Sequence, residues 1–134
     1  MQQYGEMRLV SLFLLSLPFS CADETISGYA DPKATYRLQE LSGEIFAARA
    51  TISFPEEGQV KGNAPCNTWS AQQSAPYPWI EISQIQVTRR ACTALADEQR
   101  FFDALQKVTL AEVQGELLIL SNDTGAMMVF ARDP

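Results

Sequence analysis

Apolar and polar positions alternate along most of the chain after residue 34. Thr35 to Leu41 reads TYRLQEL and puts Tyr36, Leu38 and Leu41 on one face, which predicts a strand. Glu44 to Ala48 predicts a weaker one. Ala50 to Phe54, with β-branched Thr51 and Ile52, predicts another. Glu56-Glu57-Gly58 predicts a hairpin loop leading into a strand from Gln59 to Gly62. Cys66 to Gln73 is expected to be extended, with Trp69 turned inward. Ala75-Pro76-Tyr77-Pro78 breaks the pattern into a loop. Trp79 to Val87 alternates through Ile80 and Ile82, then through Ile85 and Val87 after a shift in phase.

One segment has a different period. Ala94 to Lys107 (ALADEQRFFDALQK) brings Leu95, Phe102 and Leu105 near one stripe, joined by Phe101 and Val108, and predicts a helix. Asp97 and Glu98 near its start and Lys107 near its end suit the helix dipole. Strands then resume over Val108 to Val113 and Glu116 to Ser121, across a two-residue loop at Gln114-Gly115. Ser121 to Gly125 predicts a turn into a last strand from Ala126 to Ala131. The expected fold is α+β: a strongly curved, mostly antiparallel, barrel-like sheet with one covering helix. It occupies residues 34–132 as one domain, without repeats or low-complexity tracts. Residues 23–33 (DETISGYADPK) mix turn formers with charges and are expected to be a flexible leader.

The N-terminus differs from the rest. Leu9 to Phe19 (LVSLFLLSLPF) is too short for a bilayer span, which needs about 20 apolar residues. It fits the apolar core of a secretory signal over residues 1–22, with Arg8 as the preceding positive charge. Met7 is an alternative start. Ser20-Cys21-Ala22 offers small residues for cleavage before Asp23. The rival reading is a lipoprotein cut that leaves Cys21 lipidated, although Pro18 and Phe19 suit that signal badly. A buried N-terminal strand or helix is the remaining alternative.

Composition narrows the function. Ten Lys+Arg against sixteen Asp+Glu give a net charge of −6, and no basic stripe is present, so nucleic acid and anionic membrane surfaces are poor partners. No histidine occurs, which removes His-activated nucleophiles and His-ligated metal sites. Cys21 leaves with the signal or becomes an anchor, so Cys66 and Cys92 remain. An exported domain with two cysteines most simply forms one disulfide. Two buried free thiols are the other reading. A catalytic thiol would have no histidine partner and no C-x-x-C spacing.

Several residues in order resemble a known family. Gly62-x-x-x-Cys66-Asn67, Thr88-x-x-x-Cys92, Glu98 with Phe101-Phe102 and Leu105, Leu117 to Leu120, Gly125 and Phe130 resemble the META domain, the HslJ-like or DUF306 proteins. The resemblance spans roughly residues 34–132. It implies a small α+β protein, exported or lipid-anchored in bacteria, linked to heat shock or antibiotic tolerance. It implies no catalytic residues and no cofactor. Pro65 stands where the family often has Gly, and Trp69 where Tyr is common.

Other constellations are weighed on their residues. Asn67 beside a cysteine is expected to hold backbone groups in a turn rather than a ligand. Arg89-Arg90 is the adjacent basic pair, able to grip an anionic partner or simply to be a solvated edge. Trp69, Tyr77 and Trp79 offer a binding surface or a core edge. Glu56-Glu57 and Asp97-Glu98 have no evident way to converge as an acid–base or metal site. Asn122-Asp123-Thr124-Gly125 reads as a hairpin turn rather than a metal loop. The expected function is a monomeric, non-catalytic envelope protein, periplasmic or secreted, that binds a protein or envelope component. The alternative is a carrier of a small apolar ligand inside the curved sheet.

Overall fold

The computed structural model describes residue 5, residues 11–17 and residues 22–134. Met7, Arg8 and the cleavage or lipidation position Cys21 lie outside the described residues, as does much of the expected signal peptide. Within 11–17 the side chains of Leu12, Phe13, Leu14, Leu15 and Leu17 are exposed and add nothing to the core. Among the described residues, no helix is long and apolar enough to cross a membrane.

The strands follow the alternation. Strand β1 (Tyr36–Leu41) buries Tyr36, Leu38 and Leu41. β2 (Glu44–Ile45) and β3 (Thr51–Ile52) are short and both pair with β1. β4 (Gln59–Asn63), β5 (Thr68–Ser74) and β6 (Glu81–Val87) form a three-stranded antiparallel sheet. Helix α1 (Leu95–Leu105) follows. β7 (Leu110–Gln114), β8 (Leu117–Ser121) and β9 (Met127–Arg132) complete the larger sheet, in the order β2-β1-β9-β8-β7 with β3 beside β1. Single-residue bridges at Ser53↔Lys61 and Trp79↔Leu110 tie the two sheets at two seams. The sheets curve toward each other without merging into one closed sheet. This is the expected curved antiparallel α+β fold.

The interior is filled by bulk. Tyr36, Phe54, Phe101 and Phe130 are essentially fully buried, with Leu38, Ile52, Leu105, Leu118, Leu120 and Met128 between them. Each such side chain contributes roughly 1.5–3 kcal/mol by leaving water. Phe101 and Phe102 of α1 meet Trp69 of β5 edge-on, with ring centroids 5.8 and 6.0 Å away. Gly62 sits where β4 passes β3, and a Cβ there would overlap the Thr51 carbonyl oxygen. Gly62→Ala is therefore expected to cost about 2 kcal/mol through forced backbone movement. Urea melts of the two proteins measure it, and equal midpoints would refute this.

Four expectations need correction. Residues 23–33 are not a flexible leader. Ile26 and Ala30, four residues apart, both enter the core through a 3-10 turn (Ile26–Gly28). Tyr29 stacks on Tyr77 at 4.2 Å, and the Tyr77 N–H donates to the Glu24 carbonyl. Leu95 does not belong to the helix's buried stripe. It is 49% exposed, because Glu98, Phe101 and Leu105 set the inward face three and four residues apart. Lys107 lies past the helix, whose C-cap is Gln106. The β7–β8 loop is Gly115-Glu116, since Gln114 already pairs with Leu117 and Gly115 takes the positive φ.

Asp23 anchors the N-terminal turn. Its carboxyl accepts from the Thr25 N–H and from the hydroxyls of Thr25 and Ser27. Partial burial pushes its pKa up, but these hydrogen bonds outweigh it and hold the carboxyl below the usual aspartate value. A folded pKa below the unfolded one gives stability that is present above the ordinary carboxylate range and lost as pH falls through the folded value. The protection of the Ser27 to Ala30 amides, relative to their intrinsic exchange rate at each pH, is expected to fall as pH drops through and below the ordinary carboxylate range. In Asp23→Asn it should already be low at neutral pH. Protection in the native chain that stays constant through that range would refute the assignment.

Candidate functional site

The turn before β5 carries the densest polar network. The Ala64 N–H donates to the Asn67 carbonyl at 2.7 Å and closes the turn. Cys66 within it is disulfide-bonded to Cys92, ahead of α1, with Cα atoms 5.5 Å apart. Asn67 is buried. Its Oδ1 accepts from the Arg90 N–H at 2.6 Å and from the Thr88 hydroxyl at 2.9 Å. Its Nδ2 donates to the Arg90 carbonyl at 3.0 Å and to Glu98 Oε2 at 2.8 Å. Glu98 Oε1 accepts the Cys66 N–H at 3.1 Å. The amide's two donors and two acceptor sites are all used, which leaves none for a ligand. Asn67 holds the backbone, as its position beside the cysteine predicts.

Beside this knot lies an open groove of about 650 Å³, lined by polar side chains together with Gly62, Trp69 and Val87. Cross-strand register builds it. Ser53, Lys61, Ser70 and Gln86 are successive partners across β3's end, β4, β5 and β6 and form one row. Asn63 and Thr68 pair in the next row, and Thr88 donates its N–H to the Thr68 carbonyl there. Directly opposed residues on neighbouring strands stand about 5 Å apart. Gly62 and Trp69 complete part of the lining. Trp69 is only 3% exposed, and its indole N–H has no hydrogen-bond partner. Nε1 lies 3.1 Å from where a Cβ on Gly62 would sit. A smaller hollow of about 320 Å³ shares Asn63, Thr68 and Thr88 and adds Arg49 and Arg90.

The META domain profile matches residues 31–134 of this sequence. The chain belongs to the META domain family. No curated protein matches it by sequence. Solved structures agree in fold. An NMR structure of a protein from Burkholderia xenovorans aligns with a TM-score of 0.61 and 18% identity, covering 84% of this chain and 83% of the other. A crystal structure of a DUF4847 family protein from Bacteroides vulgatus aligns with a TM-score of 0.58 and 14% identity, covering 74% of this chain and 92% of the other. The residues that carry the META resemblance have physical roles here. Gly62 admits the β3 backbone, and Cys66, Asn67, Thr88, Cys92 and Glu98 make the knot. Phe101, Leu105, Leu118, Leu120 and Phe130 fill the core of the META domain.

Trp69, Tyr77 and Trp79, weighed as a binding surface or a core edge, are not gathered into one surface. Trp69 is buried against the helix. Tyr77 is half-buried against Tyr29, and its hydroxyl accepts the Val113 N–H at 3.0 Å. Trp79 is 56% exposed at the rim of a separate slot with Pro76 and Ile82. Arg89 and Arg90 are both exposed, and among the described residues neither side chain is in an ion pair. Only Arg90 borders a hollow. Asp97 pairs with Arg100 at 3.5 Å while Glu98 turns inward, so these adjacent carboxyls diverge. Asn122 Oδ1 accepts from the N–H groups of Thr124 and Ala126, an ordinary Asx-type turn. Among the described residues, no cluster of His, Cys, Asp and Glu is placed to hold a metal ion. Glu98, read from sequence for the helix dipole, in the Asp97-Glu98 pair and within the META resemblance, is the partner of Asn67 missing from the candidate site residues. The groove itself leaves little sequence signal, since each strand contributes only isolated polar residues.

Proposed function

We propose that this META domain works outside the cytosol, in the bacterial cell envelope, as a monomeric, non-catalytic module that binds an envelope component through the groove. The observation that carries the reading is the groove's lining: hydroxyls, amides and Lys61 beside Trp69 and Val87, with no carboxylate, on a chain of net charge −6. Polar surface gathered in a concavity offers directional contacts to a partner. The Cys66–Cys92 bond suits an oxidising compartment. In that setting the domain would support heat-shock or antibiotic tolerance. The carrier reading is disfavoured, because the interior is filled by Phe, Tyr and Leu side chains and the groove is open to solvent rather than enclosed.

Cell fractionation with intact-mass analysis tests the compartment. The processed chain should begin at Asp23, whereas a diacylglyceryl mass on Cys21 would mark the lipoprotein form. An unprocessed cytosolic chain would sink the reading. Cross-linking in envelope extract tests the groove. Ser70→Trp, which fills it from an exposed strand position, should lose whatever the native chain captures. Identical capture by both proteins would place binding elsewhere.

A further inference from the structure

We propose that the groove binds an acidic carbohydrate, a chain of hydroxyl-rich units bearing carboxylate or similar anionic groups. This rests on the binding reading above and names its ligand class. Thr35, Ser53, Thr68, Ser70 and Thr88 present hydroxyls, and Asn63 and Gln86 present amides. Hydroxyls both donate and accept, so they match the alternating donors and acceptors of a sugar's own hydroxyls. The rows repeat with the strand spacing, which suits an extended ligand lying across the strands.

Charge selects the acidic form. Lys61 stands in the row between Ser53 and Ser70 and is in no ion pair among the described residues. Arg90 and Arg49 border the adjoining hollow, Arg49 already pairing with Asp133 at 2.7 Å. No carboxylate lines either concavity, although acids outnumber bases in the chain by sixteen to ten. An anion entering the groove meets Lys61 and hydroxyl and amide donors, with Arg90 beyond them and no carboxylate in the lining.

Two other polyanions fit less well. Single-stranded nucleic acid needs exposed aromatic platforms, and Trp69, the one aromatic in the lining, is buried. An acidic peptide binds best along a free strand edge, whereas β5 in the middle of the groove is paired on both sides and β4 is bridged to Ser53 at Lys61.

The test is titration of the folded domain with tetragalacturonate, followed by amide and indole NMR. The two tryptophans give two indole signals. The Trp69 indole and the amides of Lys61, Ser70 and Gln86 should shift and saturate, while the Trp79 indole stays fixed. Lys61→Glu should weaken binding at least tenfold with an unchanged melting temperature. Neutral cellotetraose should bind at least tenfold more weakly than the acidic sugar. Equal affinity for the neutral sugar, a shift centred on Trp79, or no saturable shift would each overturn the proposal. So would tighter binding of a DNA oligonucleotide or of polyglutamate. Groove-dependent capture of an envelope protein, with no sugar binding, would remove the ligand class and leave the binding function standing. Loss of both would remove both.

Discussion

Replacing Cys66 and Cys92 together by serine is expected to lower the melting temperature by about 15 °C. The two cysteines are 26 residues apart in sequence. Closing a loop of that length restricts the unfolded chain by about 3.5 kcal/mol in the chain-entropy account. For a domain near 100 residues, each kcal/mol moves the midpoint by roughly 4–8 °C. The loop contains β5 and β6, so the bond pins both ends of a hairpin whose strands also pair. Calorimetry of the native and double-serine proteins measures the shift. Reductant should produce the same shift in the native protein and none in the variant. A change under about 3 °C would show that the unfolded chain is constrained by something else.

Asn67→Ala is expected to be nearly as damaging, at about 3 kcal/mol. The substitution removes four hydrogen bonds at once. It strands the Arg90 N–H and leaves Glu98, 5% exposed, with the Cys66 N–H as its hydrogen-bond partner. Each buried polar group left unpaired costs roughly 1–3 kcal/mol, and relaxation toward water recovers part of that. Asn67→Asp separates this account from simple loss of volume. It keeps the shape but cannot donate to Glu98 Oε2 or to the Arg90 carbonyl, and it sets two carboxyls face to face. It should therefore destabilise at least as much as alanine. Urea denaturation reads all three proteins, and a stable Asn67→Asp variant would refute the assignment. The disulfide and Asn67 fasten the same two segments, so combining the variants should give less than the sum of their separate effects.

The strands were legible because alternation is a local signal. Tyr36 and Leu38 define the inner face of β1 directly. A register shift between Leu38 and Glu40 then brings Leu41 inward, which explains its broken spacing. In β6 the positive φ of Gln84 lies within a similar irregularity and accounts for the change of phase before Ile85. Residues 23–33 misled for the opposite reason. Polar Thr25 and Ser27 serve as partners for Gln73, a residue far away in sequence, so their polarity does not signal solvent. Leu95 looked buried because it is apolar, yet the core contact belongs to Phe101. The role of Asn67 was readable from its place beside Cys66. The role of Glu98 was not, since it depends on how the helix docks against the turn. The groove was least legible. Ser53, Lys61, Ser70 and Gln86 become neighbours only through register, and register is not written in any one segment.

The pairing of β1 with β9 has a temporal consequence. Tyr36 meets Arg132, so the first long strand waits for the last one to be made. A chain that emerges N-terminus first, from a ribosome or through a membrane pore, cannot form the centre of its larger sheet until nearly all of it has been released. Contacts that distant in sequence slow folding relative to a chain built of local contacts. During that wait β1 has only β2 and β3 beside it, and Leu38 and Leu41 lack their later partners Phe130 and Met128, which makes β1 a stretch that a chaperone would need to shield.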